Sequence, residues 1–277
     1  MTMHIRTADE NRIVSGGIDT RYLSAGTGHP VILLHGSGPG VTARSNWEGT
    51  IADLSGSFHV LAPEMVGYGA TERPRDVVYG VPTWVRHSMD FIDAFGFSTF
   101  DLVGNSMGGL VSLHIAQMYP GRLRRLVLMG TPSPAFVPTE GLRALRSYEP
   151  TLENMRRLLV DYFAYDSSIV TDDMVQARYE ASNGPLAHET YKAMFQDPRH
   201  AGNTLNLTED GVAAIHARTL IVHGREDKVI PVSCAWKLNE LISDSELHVF
   251  SNVGHWTQIE RRRRFAQIVQ DFLSAPD

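Results

Sequence analysis

The chain has 277 residues, 43% of them hydrophobic and 20% charged, with a formal net charge of −6. That length suits one large α/β domain, or a core with one inserted subdomain, and the composition is that of an ordinary soluble enzyme. The acidic balance argues against nucleic acid or an anionic membrane as partner, and no apolar run approaches the length of a membrane span.

Residues 1–11 are polar, carry Asp9 and Glu10, and lack the apolar stretch of a secretory signal. Cys234 is the sole cysteine, so no internal disulfide can form. A reducing compartment, the cytoplasm, is therefore expected. Next, the segments around Ile13 and Tyr22 read as an antiparallel hairpin turned at Ser15-Gly16-Gly17. Near-continuous apolar runs follow at 31–34, 58–61, 101–103, 126–129, 219–222 and 247–250. Such runs suit parallel strands covered on both faces. Amphipathic segments at 81–95 and 107–119 lie between them, so an α/β fold with a doubly wound parallel sheet is predicted.

The strand rhythm breaks after Thr131. Pro132, Pro134 and Pro138 punctuate a loop, and helical patterns then occupy 141–148, 152–164, 171–182 and 186–195. An all-helical block interrupting a sheet predicts a cap (132–211) over the C-terminal strand edge, where α/β ligand sites lie. Residues 1–131 and 212–277 are assigned to the core.

Several turns carry the chemistry. After the run at 31–34 comes His35-Gly36-Ser37-Gly38-Pro39-Gly40. At that place in the fold it fits a loop whose backbone amide, that of Ser37, stabilises an oxyanion. A phosphate loop is excluded because the lysine and the acidic partner it needs are missing. Gly104-Asn105-Ser106-Met107-Gly108-Gly109 follows the next strand and opens a helix. G-x-S-x-G in that setting is a nucleophile elbow, with Ser106 on a strained turn and Met107 N–H as the other oxyanion donor. The acid belongs after the run at 219–222, where Asp227 stands with Glu226 as its neighbouring rival. The base comes last, and His255 in Gly254-His255-Trp256 follows the final strand. His35 and His223 also end strands and read as structural turn residues. The order Ser106, Asp227, His255 is the hydrolase order. Arg261 to Arg264 read as a solvated face of the last helix, with Phe265, Ile268, Val269 and Phe272 turned to the core and a subunit contact as the exception.

These motifs, with Asn46-Trp47, Thr139-Glu140-Gly141-Leu142 and Ala177-Arg178-Tyr179-Glu180-Ala181-Ser182, resemble the meta-cleavage product hydrolases. These are carbon–carbon bond hydrolases of bacterial aromatic catabolism. The resemblance spans nearly the whole chain and is strongest to the branch acting on 2-hydroxymuconic semialdehyde and alkyl ketone analogues. It implies an α/β-hydrolase fold, a 2-hydroxy-6-oxo-hexa-2,4-dienoate substrate, no metal or organic cofactor, and a homo-oligomer, dimer or higher. It further implies that Arg178 pairs with the substrate carboxylate. By the same resemblance Asn46 and Asn105 bond the carboxylate and 2-oxygen end, Trp256 packs on the dienoate, and Gly36 and Gly38 line the substrate.

The chain departs from the family at Arg44-Ser45, at Glu64 in place of an aspartate, and at 198–203, where a tryptophan is missing. These departures lie near expected acyl-pocket or cap regions and bear on the C6 substituent, for which hydrogen or small alkyl is expected. The alternatives are a carboxylesterase of the same fold with broad small-ester specificity, and a hydrolase-fold ligand receptor. A dehalogenase would need a carboxylate at position 106.

Overall fold

Leucine- and valine-rich strands with no exposed residue require a sheet covered on both sides, and these runs find one. The computed structural model describes residues 8–184, 186–196 and 207–276. Its strands are β1 (Asp9–Ser15), β2 (Ile18–Ala25), β3 (Pro30–Leu34), β4 (His59–Pro63), β5 (Phe100–Asn105), β6 (Leu123–Met129), β7 (Arg218–Gly224) and β8 (Ser245–Phe250). They form one eight-stranded sheet in the order β1-β2-β4-β3-β5-β6-β7-β8. β2 is antiparallel to β1 and β4, while β3 to β8 pair in parallel. The predicted hairpin and all six predicted runs are present.

Strand alternation divides the core in two. Ile32, Leu34, Leu102 and Leu128 pack on the face covered by α2 (Val81–Ala94) and α3 (Met107–Met118). Val31, Leu33, Val103 and Val127 face the opposite side, with Trp47 and Ile51 of α1 (Ala43–Leu54) and Phe265 and Val269 of α11 (Arg262–Ser274).

Helix α1 did not stand out in the sequence. Its buried stripe is Ala43, Asn46, Trp47, Thr50, Ile51 and Leu54, which includes two polar residues and so blurs the apolar period. A reciprocal cap starts it, Thr42 Oγ1 accepting from Ser45 N–H at 3.0 Å while Ser45 Oγ accepts from Thr42 N–H at 2.9 Å. At the other end of the chain Arg261 to Arg264 are exposed. Arg262 pairs with Asp53 of α1 at 2.9 Å, while Phe265, Val269 and Phe272 are buried and Ile268 is partly buried.

No strand occurs among the described residues of 132–211. Instead α4 (Glu140–Arg146), α5 (Leu152–Leu158), α6 (Asp172–Ser182) and α7 (Ala187–Gln196) form a helical block between β6 and β7. The expected helix at 152–164 is not α-helical throughout. Past Leu158 it widens into one turn, Leu159–Phe163, closed by Ala164 N–H donating to Leu159 O at 3.0 Å. Leu142, Leu158 and Phe163 of the block share an apolar cluster with Val229, Ile230 and Trp256, so it is anchored on the turns after β7 and β8. The remaining helices are α8 (Glu209–Ala213), α9 (Ser233–Leu241) and α10 (Thr257–Glu260). Among the described residues, no helix is long and apolar enough to cross a membrane.

Two buried histidines tie loops to this frame. His35 Nε2 accepts from Met65 N–H at 3.0 Å while its Nδ1 faces Gly36 O at 2.7 Å. His87 Nδ1 accepts from Val66 N–H at 3.2 Å, with Nε2 on Thr20 Oγ1 at 2.8 Å. Both rings use one nitrogen as acceptor, which suits the neutral form, and burial pushes both down to about 4. The unfolded chain therefore binds these protons first on acidification. The stability they contribute is present above about pH 6.5 and is lost as pH falls toward 4, by about 2 kcal/mol each at pH 5. Urea midpoints at pH 7.5 and pH 5 are expected to differ accordingly, and His87→Gln should narrow the gap.

Candidate active site

The elbow is built by close approach. Ser106 stands between β5 and α3 with φ 54° and ψ −112°, a conformation that strains any residue with a Cβ. Its amide donates to Met129 O at 2.8 Å, tying the turn to the end of β6. A Cβ on Gly108 would lie 2.1 Å from Leu34 O, so only glycine lets α3 start this close to β3. Met107 is the first residue of α3, so its amide precedes the intrahelical ladder.

Asp227 and His255 meet from two different strand ends. His255 Nδ1 lies 2.7 Å from Asp227 Oδ2, and both side chains are buried. The other carboxylate oxygen accepts from the Val229 and Ile230 amides at 2.8 and 2.9 Å. Burial alone would raise this carboxyl. The attraction of His255 and hydrogen bonds from His223 and His255 prevail and hold it well below the usual carboxylate range. The rival Glu226 accepts instead from Val253 N–H at 3.1 Å and pairs with Arg225. His223 is more than a turn residue, since its Nε2 lies 2.9 Å from Ile230 O and 3.4 Å from Asp227 Oδ2.

Ser106 reaches this pair around Gly130. A Cβ there would lie 3.0 Å from His255 Cε1, while the Ser106 amide rests on the preceding Met129. Among the described residues Ser106 Oγ and His255 Nε2 are not hydrogen-bonded, a contact that commonly tightens only with substrate. A fixed carboxylate–imidazole pair beside a strained serine is the arrangement that activates a hydroxyl for attack on a carbonyl.

The polar residues named by resemblance gather around the loop after β3. Asn46 Oδ1 accepts from Gly36 N–H at 3.4 Å, leaving its Nδ2 buried without a partner. Asn105 Nδ2 donates to Met129 O at 3.3 Å, and its Oδ1 is 3.0 Å from where a Gly36 Cβ would stand. Arg178 on α6 is only 5% exposed, and its Nη2 is 2.9 Å from where a Gly38 Cβ would stand. Its guanidinium lies 5.6 Å from the Trp256 ring. Nη1 donates to Ser45 Oγ at 3.3 Å, Nε has no partner, and among the described residues no carboxylate pairs with it. Burial lowers Arg178 to about 10, and at neutral pH it remains a cation without a counter-ion.

Two cavities adjoin the loop. One of about 250 Å³ is lined by Ser37, Ser106 and Met107, with apolar walls that include Trp84, Leu142 and Ile230. The other, of about 470 Å³, is lined by Asn46, Arg178 and Trp256.

Some neighbours went unread in the sequence. Phe163 O accepts from His255 N–H at 2.7 Å, and the Phe163 ring packs edge-on against His255 and tilted against Trp256. Glu260 accepts from Gly254 N–H at 2.7 Å through one oxygen and from Tyr165 and Asp166 N–H at 2.9 and 3.2 Å through the other. It thus links the helical block to the His255 turn. Glu260→Gln turns one acceptor into a donor against those amides, and kcat is expected to fall about tenfold or more with KM for substrate moving less. Steady-state kinetics checks this, and an unchanged kcat would remove Glu260 from the positioning of His255.

The departures sort differently from expectation. Ser45 touches Arg178, whereas Arg44 pairs with Glu10 and Glu48. Glu64 does not line the acyl side of the site. It is buried and accepts from Arg21 Nη1 at 2.9 Å and Ala70 N–H at 2.6 Å, because its longer side chain folds back into the loop after β4. The stretch 198–203 lies outside the described residues.

Fold and site together define a serine hydrolase of the α/β class, and the family described as alpha/beta hydrolase fold matches residues 29–262. The 2-hydroxy-6-oxo-2,4-heptadienoate hydrolase of Pseudomonas putida is 47% identical over 96% of this chain and 96% of its own. The 2-hydroxymuconate semialdehyde hydrolase of Pseudomonas sp. strain CF600 is 45% identical over 96% of this chain and 94% of its own. A serine-to-alanine mutant of the meta-cleavage product hydrolase from Pseudomonas fluorescens IP01, complexed with acetates, superposes with a TM-score of 0.91 at 45% identity. That match covers 95% of this chain and 97% of the other. The chain belongs to the meta-cleavage product hydrolases.

Proposed function

We propose that this enzyme hydrolyses the C5–C6 bond of 2-hydroxy-6-oxo-hexa-2,4-dienoate-type ring-cleavage products in aromatic degradation. The products are 2-hydroxypenta-2,4-dienoate and a carboxylic acid. The observation that carries the reading is Arg178, a buried guanidinium with no carboxylate partner among the described residues, beside the loop that holds Ser37. A planar fork of donors in a dry setting suits a substrate carboxylate, which a neutral ester does not offer. Asn46, Asn105 and Trp256 would hold the rest of the dienoate, with Gly36 and Gly38 giving it access to the backbone.

The reaction runs in two stages. Protonation of the dienol at C5, with His255 as proton carrier, gives the keto form, whose C5–C6 bond can break to a stabilised enolate. Ser106 Oγ then loses its proton to His255 and attacks the C6 carbonyl, while Asp227 holds the imidazole tautomer. The Ser37 and Met107 amides stabilise the oxyanion. Collapse breaks C5–C6, leaving an acyl group on Ser106 that water releases as the acid. Residues 132–211 act as the cap and 1–131 with 212–277 as the core. The reading further places the enzyme in the cytoplasm, in keeping with its single cysteine, as a homo-oligomer.

A turnover panel with hydrogen, methyl, isopropyl and phenyl at C6 tests the activity through loss of the yellow dienolate absorbance. Multiple turnovers on the small substituents are expected. If none is cleaved, the reading fails, and a single stoichiometric change would point to a receptor instead.

A further inference from the structure

The smaller cavity contains a charge that the reaction does not use. Its walls are apolar apart from the Ser37–Ser106–Met107 end, Tyr79, and Arg146 at the end of α4. Arg146 Nε is buried with no hydrogen-bond partner, and among the described residues no carboxylate pairs with the side chain. The guanidinium stands 5.9 Å from the ring of Phe195, another lining residue, so an aromatic face is its neighbour in place of an anion. Burial lowers its affinity for the proton, as for any cation kept from water and counter-ion.

Such a residue is poorly suited to a pocket for a plain alkyl group. Methylene and aromatic walls do the binding there, and a desolvated guanidinium adds only a penalty unless something acidic meets it. Water in so apolar a cavity finds few polar partners to hold it against the cation. A carboxylate at the end of a short C6 chain would meet both demands, its methylenes on Leu142, Phe195 and Ile230 and its oxygens on Arg146.

Resting on the C5–C6 hydrolase reading, we propose that Arg146 makes the acyl pocket selective for substrates whose C6 substituent ends in a carboxylate. The acid released would then be a dicarboxylate. Arg178 and Arg146 would hold the two anionic ends of one substrate, with the scissile bond between them at Ser106.

The test compares two dienoates that differ only at the chain end, with propyl or 2-carboxyethyl at C6, on the full-length enzyme and on Arg146→Met. The native enzyme is expected to favour 2-carboxyethyl in kcat/KM by about ten- to a hundredfold. Arg146→Met should abolish or invert that ratio. Turnover of the propyl substrate with an equal or lower rate on 2-carboxyethyl overturns the Arg146 proposal and leaves the hydrolase reading standing. Turnover of neither substrate removes both. A preference that survives in Arg146→Met assigns the selectivity elsewhere and overturns the proposal. Arg146→Gln, polar but uncharged, gives the same comparison if the methionine variant does not fold.

Discussion

Arg178→Gln is expected to lower kcat/KM on dienoate substrates by about two to three orders of magnitude, while small neutral esters lose less than about threefold. The magnitude follows from charge-assisted hydrogen bonds worth about 1.5–3 kcal/mol each, of which a forked pair can be lost together. The asymmetry between substrates follows from position. Arg178 contacts Ser45, Gly38 and Trp256 and has no contact with Asp227 or His255, so the reacting groups are left in place. A second effect separates binding from folding. In the free protein this guanidinium is buried without a counter-ion, and removing an uncompensated charge is neutral or stabilising. Thermal unfolding of the variant should therefore occur at an equal or higher temperature than that of the native chain. Equal losses on both substrate classes would sink the carboxylate role.

Replacing Ser106 by alanine is expected to reduce dienoate turnover by about four to six orders of magnitude, the scale seen when a nucleophile that acts in concert with its base is deleted. Binding should survive, because Arg178, Asn46 and Trp256 are untouched. A substrate titration followed by absorbance, or by the rise in melting temperature with ligand, measures it. The strained backbone supplies an internal control. Alanine keeps the Cβ at φ 54° and with it a strain on the order of 1–3 kcal/mol, whereas glycine has none to relieve. Ser106→Gly should thus be more stable than Ser106→Ala despite being equally inactive. Residual activity above about one part in a hundred in the alanine variant would place the nucleophile elsewhere.

The strands, the hairpin and the Ser106 turn were legible because each depends on residues adjacent in the chain. Apolar runs ending in glycine report backbone that must be covered on both faces, and Gly104 and Gly108 report a crossing too tight for a Cβ. Helix α1 escaped because its buried face contains Asn46 and Thr50, residues that polarity assigns to solvent. Arg178 was out of reach of pattern for the same reason. The helix DDMVQARYEAS reads as a surface element, and only resemblance singled out its arginine. Glu226 and Asp227 are neighbours in sequence, and the choice between them depends on which side chain the turn after β7 aims at His255.

The amino-acid sequence by itself determined the order of the sheet's buried strands, the interrupting helical block, and the turns from which Ser106, Asp227 and His255 project. Those features are set by local sterics and by the need of each strand to hide both faces. Only the tertiary structure decided that Asp227 meets His255, that Phe163 and Glu260 fasten the helical block to the His255 turn, and that Arg178 and Arg146 are buried without carboxylate partners among the described residues. Burial of a charge is a property of what packs over it, and here the covering segments come from distant parts of the chain.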